Sequence, residues 1–292
     1  MRACGYFVMF LSLCVTLPSF SSRVLPRFSS RMVATRAAQK TGPSKIAHQV
    51  AIKSSSKPRS TGPSSASSTT AVPASADGKA WFEQLYSGAM SDEYKAYMRD
   101  EWGHEKRGDE ALFEKLSLEG AQAGLSWSTI LAKREAYRRA FHNFDLQACA
   151  SMTEADVDAL VASAAGSGRD SIVRHRQKVA SVPNNARAVL RIIAEAEERG
   201  VPRPPHGHFD AFLWAYVGGV PQLNRWPTIK DIPATSELSE KMSKELKKLG
   251  FSFVGPTICY SLLQSCGLIV DHPVGTPEWE AARIRLAQAG RK

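Results

Sequence analysis

Helical periodicity dominates the hydrophobic pattern of the chain, and its most informative stretch surrounds Glu119. Leu112, Leu116, Glu119 and Ala123 are spaced at i, i+4, i+7 and i+11, which places them on one face of a helix. A carboxylate on an apolar face is unfavourable unless another group pairs with it. The next turn, residues 120–124, contains no Lys or Arg. The pattern predicts a buried acid that is either a functional group or a core residue bonded to a helix N-terminus or to buried water.

Capping residues and stop signals predict helices through most of the chain beyond residue 108. We expect seven helices, from Asp109 to about Gly120, Ser126 to Phe141, Thr153 to Leu160, Arg176 to Gly200, Phe209 to Val217, Thr235 to Leu249, and Pro256 to just before Gly267. The expected N-caps are Asp109, Ser126 and Thr235, and Thr153 with Asp156 forms a capping box. Pro183 is a candidate break in the fourth helix. The sequence contains no convincing alternating strand pattern. The predicted fold class is therefore all-α.

Four aromatic residues lie close to Glu119 in sequence. They are Tyr94, Tyr97, Trp102 and Trp127. An acid inside an aromatic-lined cavity suits a flat, nitrogen-rich or cationic ligand, such as a damaged purine.

A second candidate site lies between the helix that ends near Leu160 and the helix that starts near Arg176. The connection contains glycines, and basic residues lead into the second helix. Backbone N–H groups at a helix N-terminus can bind a phosphate, and basic side chains add an attraction that weakens with salt. The basic residues are Arg174, His175, Arg176 and Lys178. The alternative is an ordinary solvated helix face, because four basic residues within five positions cannot all point the same way.

The positive charge of the chain belongs to its N-terminal part. The chain has 38 Lys and Arg against 28 Asp and Glu, but residues 1–76 hold ten of the basic residues and no acid. The remaining residues, 77–292, carry no net charge, so the high pI is no evidence that this part binds nucleic acid.

Composition divides the chain into three segments. Residues 1–40 are acid-free and rich in Ser and Arg, which indicates a targeting segment for a mitochondrion or a plastid. The alternatives are a nuclear protein and a basic tail without an address. The apolar stretch 6–20 is too short and interrupted to span a bilayer as an ordinary helix. Residues 41–76 are predicted to be a disordered Ser/Thr/Pro-rich linker, and 77–292 the folded domain.

The folded domain resembles the DNA-3-methyladenine glycosylase I family of the helix-hairpin-helix superfamily. The resemblance covers about residues 94–275. It is carried by Tyr97 with Asp100-Glu101-Trp102-Gly103, Leu118-Glu119-Gly120-Ala121-Gln122-Ala123-Gly124-Leu125-Ser126-Trp127, Lys133-Arg134-Glu135-Ala136-Tyr137-Arg138, Phe141-His142-Asn143-Phe144-Asp145, Ile172-Val173-Arg174-His175-Arg176-Gln177-Lys178, Asn185-Ala186-Arg187-Ala188, and Phe251-Ser252-Phe253-Val254-Gly255-Pro256-Thr257-Ile258-Cys259-Tyr260. The motifs follow one another in the family's order and spacing.

The resemblance implies a helix-hairpin-helix fold with two helical lobes around a cleft, and an enzyme that flips 3-methyladenine out of DNA and hydrolyses its N-glycosidic bond. The family's base-recognising glutamate corresponds to Glu119. Its pocket aromatics correspond to Tyr94, Tyr97, Trp102 and Trp127. The hairpin that grips the DNA backbone corresponds to about 164–178. The implied partner is double-stranded DNA with an alkylated purine, bound by a monomer without cofactor or lyase activity. The runner-up is a lesion-binding module of the same fold that does not cut.

The sequence departs from the family at its structural zinc site. Many members bind zinc through two cysteines and two histidines near the chain ends. Here His272 is the sole remnant, Met98 replaces the first histidine, Thr276 replaces the second cysteine, and residues 77–92 contain no cysteine. Three missing ligands exclude a tetrahedral site, so we predict no zinc. Packing by Trp81, Phe82, Met98, Pro273 and Val274 is the expected substitute. The other cysteines (149, 259 and 266) are expected to be reduced and buried.

Overall fold

The computed structural model describes residues 90–163 and 168–289, and this part of the chain is almost entirely helical. Its eleven α-helices are α1 (Asp92–Asp100), α2 (Asp109–Gln122), α3 (Trp127–Leu131), α4 (Arg134–Ala140), α5 (Leu146–Ser151), α6 (Glu154–Ala162), α7 (Arg176–Glu198), α8 (His208–Trp214), α9 (Glu237–Lys248), α10 (Pro256–Ser265) and α11 (Pro277–Ala289). Short 3-10 turns lie at His142–Phe144, Gly168–Asp170, Ala215–Val217 and Ile229–Asp231. The predicted all-α class is confirmed. Within the described ranges, no helix has the length and apolar character needed to cross a membrane.

Helix α2 is the centre of the core. It packs against α3, α7, α8 and α10, and every residue from Leu116 to Gln122 is buried. A helix that is covered on all sides can hold a polar side chain only if its neighbours supply partners. The residues that its neighbours bring to Glu119 therefore decide what this acid can do.

Most predicted helix starts are confirmed. Ser126 caps α3 by accepting a hydrogen bond from the Thr129 amide, and Thr153 and Asp156 form the capping box of α6. Pro256 is the first residue of α10, where its missing N–H costs no intrahelical bond. Pro183 lies inside α7 without ending it.

We expected Asp109 to be the N-cap of α2, but it is the first residue of the helix. Gly108 is the N-cap, and its backbone has a φ of 103°, which residues other than glycine rarely adopt. The Asp109 carboxylate instead accepts a hydrogen bond from the Asp210 amide at 2.8 Å, and the Asp210 carboxylate accepts one from the Gly108 amide at 3.0 Å. This reciprocal pair joins the starts of α2 and α8, which sequence capping rules do not consider.

Other boundaries also differ from the prediction. The helix expected from Ser126 to Phe141 is divided into α3 and α4, and Ser236 rather than Thr235 caps α9. Helices α1, α5 and α11 were not predicted. Two short strands, β1 (Gln222–Leu223) and β2 (Ile269–Val270), pair in parallel and were missed because two residues carry no periodicity. The three cysteines of this part of the chain are free and buried, as expected.

Predictions about residues 1–76, about Trp81 and Phe82, and about the first part of the hairpin at 164–167 fall outside the described residues.

Candidate active site

Glu119 is buried, with 3% of its surface exposed, as the periodicity predicted. One carboxylate oxygen, Oε1, accepts a hydrogen bond from the Ser265 hydroxyl at 2.9 Å. The same oxygen lies 3.2 Å from the ammonium of Lys115, one helical turn earlier on α2. The core thus holds a buried ion pair, and Ser265 at the end of α10 fixes the carboxylate.

Lys115 is the important residue that the sequence interpretation missed. The turn after Glu119 contains no basic residue, but the residue four positions before Glu119 is an equally close neighbour on a helix. The sequence itself contained this information, because Lys115 lies on the same face of α2 as Glu119. Burial lowers the pKa of Lys115, while the Glu119 carboxylate opposes that effect.

Three of the predicted aromatic residues meet beside this pair. Tyr97 and Trp127 lie with ring centroids 5.2 Å apart, and Tyr94 lies 6.2 Å from Tyr97. The Lys115 ammonium is 3.6 Å from the centroid of the Trp127 ring. It also donates a hydrogen bond to the Tyr97 hydroxyl at 2.8 Å. Burial, followed by the nearby Glu119 charge, raises the pKa of Tyr97 well above its usual value, so this hydroxyl stays protonated.

Two buried polar atoms of this cluster are unused. Within the described residues, Glu119 Oε2 and the indole Nε1 of Trp127 have no hydrogen-bond partner. Buried polar groups are normally satisfied, so an unsatisfied one calls for an explanation, and a functional role is one of them. A free carboxylate oxygen accepts a hydrogen bond from an exocyclic amine, and an indole N–H donates one to a ring nitrogen. Together with the π faces, these atoms can select a planar, amine-bearing heterocycle.

Trp102, the fourth predicted aromatic residue, lies in a different contact. Its ring packs edge-on against His272, with centroids 5.0 Å apart. Burial lowers the pKa of His272 to about 3, so the imidazole is neutral at physiological pH. A Cβ on Gly103 would approach the His272 ring to 2.5 Å, so the residue after Trp102 must be glycine. His272 therefore holds the loop that carries Trp102.

The basic residues at the start of α7 divide into different environments. Arg174 donates to the Ser163 carbonyl at 2.7 Å, and Arg176 forms ion pairs with Glu154 and Asp158. Lys178 donates to the carbonyls of residues 121 and 123, at the C-terminal end of α2. His175 is the exposed N-cap residue and makes no side-chain cap bond. Lys178 is thus half-buried and bound to the C-terminal end of α2, while the side chains of the other three residues are exposed. Their contact with DNA stays a prediction.

Hydrogen bonds from Lys133, directly before α4, and to Tyr137 on α4 hold the end of the hairpin. Lys133 donates to the backbone carbonyls of Gly168 and Ser171. The Tyr137 hydroxyl accepts a hydrogen bond from the Val173 amide at 3.2 Å. These bonds hold the approach to α7 against α4.

The residues at the family's zinc positions do not fit a metal. Met98 is buried in the core. Thr276 donates to the Pro273 carbonyl at 2.8 Å and accepts a hydrogen bond from the Trp279 amide. Within residues 90–163 and 168–289, no three His, Cys, Asp or Glu side chains are grouped as metal ligands. The absence of zinc remains a prediction, which metal analysis of the purified protein would test.

The region around His272 is instead joined by a buried carboxylate. Asp271 accepts hydrogen bonds from four side chains at 2.6–2.8 Å, two on each oxygen. They are Asn224, Trp226, Tyr260 and Gln264. The indole of Trp279 on α11 also donates to the Asn224 carbonyl at 2.8 Å. This network ties the β1 and β2 segments to α10 and α11. The packing that we expected from Met98, Pro273 and Val274 stays a prediction.

Known proteins resemble the chain in both sequence and structure. The family profile described as methyladenine glycosylase matches residues 87–278. "DNA-3-methyladenine glycosylase 1" of Escherichia coli (strain K12) is 46% identical over 182 residues, which are 62% of this chain and 89% of that protein. The "DNA-3-methyladenine glycosylase" of Haemophilus influenzae is 41% identical over 179 residues, which are 61% of this chain and 88% of that protein.

The solved structures agree with these relatives. A crystal structure of "3-methyladenine DNA glycosylase I" has a TM-score of 0.57 at 42% identity and covers 65% of this chain and 95% of its own. A Staphylococcus aureus structure, described as the structural basis of 3-methyladenine recognition by that enzyme, has a TM-score of 0.59 at 33% identity and covers 68% and 97%. Because the family profile spans well over half of the chain, this protein belongs to the methyladenine glycosylase family.

Proposed function

We propose that this protein is a base-excision repair enzyme that hydrolyses the N-glycosidic bond of 3-methyladenine in DNA. The observation that carries the proposal is the free oxygen of the buried Glu119 beside the π faces of Tyr97 and Trp127. The names of the relatives supply the substrate, and the site supplies groups that suit it.

The chemistry of the lesion explains why such a pocket is sufficient. Methylation at N3 places a positive charge on the base and weakens its glycosidic bond before the enzyme acts. The enzyme must extract the nucleotide, select the damaged base and hold it while water attacks the sugar carbon. The aromatic faces favour a cationic ring, and Glu119 accepts a hydrogen bond from the amine. We propose hydrolysis without a lyase step, so borohydride should trap no covalent enzyme–DNA product.

The hairpin at about 164–178 is the proposed grip on the DNA backbone. Its support is the exposed N-terminal end of α7, where His175 leaves the first backbone N–H groups uncapped, together with the surface cations Arg174 and Arg176. The ion pairs of Arg176 with Glu154 and Asp158 reduce the charge that it can offer. Substitution Arg174→Ala should therefore weaken binding to any DNA sequence more than Arg176→Ala does, with a reduced salt slope.

The test of the function is the identity of the bases that the purified enzyme releases from methylated duplex DNA. We expect free 3-methyladenine as the main product, with little release of 7-methylguanine, whose cationic ring lacks the amine position of adenine. The lesion-binding module makes the opposite prediction, which is tight binding to methylated DNA with negligible release. Release of other bases without 3-methyladenine would refute the proposed substrate.

We also propose that residues 1–76 direct the enzyme to a mitochondrion or a plastid. The support is compositional, because this segment has ten basic residues, no acid and an excess of Ser. A fluorescent fusion of residues 1–76 should enter one of these organelles, and the protein without them should not. A fusion that stays in the cytosol or enters the nucleus would refute this address.

A further inference from the structure

Lys115 lies where the proposed function needs a positively charged base. Its ammonium contacts the Glu119 carboxylate at 3.2 Å and lies 3.6 Å from the centre of the Trp127 ring. These two groups are the ones that recognise the cationic ring of the substrate. The side chain is only 6% exposed, so the ammonium is buried together with these two groups.

The position does not need a charge for packing. Lys115 lies on a helix that is buried on all sides, between Leu112 and Leu116, where an apolar side chain of similar length would fill the same space. Replacement of buried ion pairs by apolar residues is often neutral or stabilising, because two charges must be stripped of water. A lysine here therefore indicates a role beyond the stability of the core.

The two unused atoms of the pocket fit the same interpretation. Glu119 Oε2 and Trp127 Nε1 have no partner among the described residues, although Lys115 occupies the Trp127 face beside them. The ammonium thus occupies the Trp127 ring face and balances the Glu119 charge. It leaves Glu119 Oε2 and Trp127 Nε1 able to form hydrogen bonds with a base.

Starting from the proposed function, we propose that Lys115 is a specificity-determining residue that occupies the cation site of the free enzyme and must be displaced from Trp127 by the incoming base. A cationic base competes with the ammonium for the Glu119 carboxylate, whereas a neutral base does not. The same competitor returns when the glycosidic bond is broken and the base leaves as a neutral molecule. Lys115 therefore lowers the affinity for cationic ligands and speeds the release of the product.

The experiment measures binding of two small probes to the full-length protein by calorimetry. One probe is 3-methyladenine near pH 8, which is largely neutral, and the other is 3,9-dimethyladeninium, which is permanently cationic. In Lys115→Met the cationic probe should bind at least about tenfold more tightly, because the ammonium no longer competes and the Glu119 charge is uncompensated. The neutral probe should change much less. Lys115→Arg keeps the charge and should not show the cationic gain.

A second measurement keeps the inference testable if Lys115→Met does not fold. The charged and titratable groups that act on Lys115 are Glu119, Tyr97, Glu101 and Cys266. Burial lowers the pKa of Lys115, while it raises that of Tyr97 well above 10 and that of Cys266 to about 12. As the pH rises toward the lowered pKa of Lys115, wild type should gain affinity for the cationic probe because the ammonium loses its proton. Lys115→Arg should not.

The outcomes separate this inference from the proposed function. Equal changes for both probes, or weaker binding of the cation to Lys115→Met, would show that Lys115 is only a structural partner of Glu119. In that case wild type would still release 3-methyladenine from DNA. If wild type releases no 3-methyladenine and neither probe binds to any variant, both the function and the inference are refuted.

Discussion

Two buried carboxylates, Asp271 and Glu119, show how a structural acid differs from a binding one. Both are at most 3% exposed. Asp271 receives four hydrogen bonds from neutral side chains, two on each oxygen, and has no capacity left. Glu119 has a serine, an ammonium and one oxygen without a partner in the described part of the chain.

The difference lies in the completeness of the partner set, and burial alone does not reveal it. A carboxylate whose acceptor positions are all filled by protein donors is fully hydrogen-bonded without a ligand. A ligand therefore cannot add a hydrogen bond to it. A carboxylate that keeps one oxygen without a partner retains capacity that a ligand can use. We therefore expect substitutions at Asp271 to reduce stability and those at Glu119 to reduce activity.

The largest expected effect is the loss of stability in Asp271→Asn. An amide has one acceptor oxygen, so its NH₂ group faces two donors that lose their partner. Each unsatisfied buried group costs about 1–3 kcal/mol, so the two donors together give a loss of roughly 2–6 kcal/mol. Denaturant unfolding measures this loss, and Asp92→Asn at the exposed start of α1 is the matched control. Activity per folded molecule should be nearly unchanged. A stable Asp271→Asn protein would show that the network is not what joins the C-terminal segments.

These two acids also show how far sequence could lead. Glu119 was recognisable because its position follows from helical periodicity, and the resemblance independently pointed to the same residue. The donors of Asp271 come from two loop positions and two positions on α10, as many as 47 residues away in the chain. No periodicity links them, so the network could not be predicted.

The aromatic cluster was predicted more completely than the cation inside it. Tyr94 and Tyr97 are three residues apart on α1, so their shared face follows from helix geometry. Lys115 could have been found by the same geometry. Its burial could not, because a lysine four residues before a glutamate more often forms a solvated pair. Only the packing of α3 over α2 places its ammonium under Trp127.

The second prediction concerns Glu119→Gln, which should slow excision of 3-methyladenine by about 5- to 150-fold. This range corresponds to the 1–3 kcal/mol of a charge-assisted hydrogen bond to the base. Single-turnover kinetics on duplex DNA with one lesion measures it. Because Lys115 loses its counter-ion, the variant should also be less stable, and rates must be expressed per folded molecule.

Glu114→Gln is the matched control for this change. It lies on the same helix and pairs with Arg138 away from the pocket. If Glu119→Gln and Glu114→Gln excise the base at the same rate as wild type, Glu119 is a structural acid like Asp271.

The third prediction separates the pocket from the DNA grip. Trp127→Leu keeps an apolar side chain but removes the π face over the base, which is worth roughly 1–3 kcal/mol per stacked ring. Excision should fall accordingly, while affinity for undamaged DNA stays near that of wild type. Trp127→Phe retains a ring and should lie between the two. An equal loss of excision and of binding to undamaged DNA would contradict the assignment of Trp127 to the pocket.

The smallest expected effect is an acid-dependent loss of stability at His272, which connects the two regions. Its ring contacts Trp102, and it follows Asp271 directly in the chain. Burial lowers its pKa to about 3 in the folded protein, against about 6.5 in the unfolded chain. Between these values the unfolded state binds the extra proton, so stability falls as the pH decreases below 6.5.

From pH 7 to about 5.5 this difference amounts to roughly 1 kcal/mol, because each pH unit below the unfolded pKa contributes up to about 1.4 kcal/mol. Urea unfolding at the two pH values measures it. His272→Gln, which cannot titrate, should remove most of the difference, whereas His142→Gln at an exposed position should leave it unchanged. If His272→Gln and wild type lose the same stability on acidification, His272 is hydrated or paired in acid. The Trp102 loop would then be held by contacts other than a neutral imidazole.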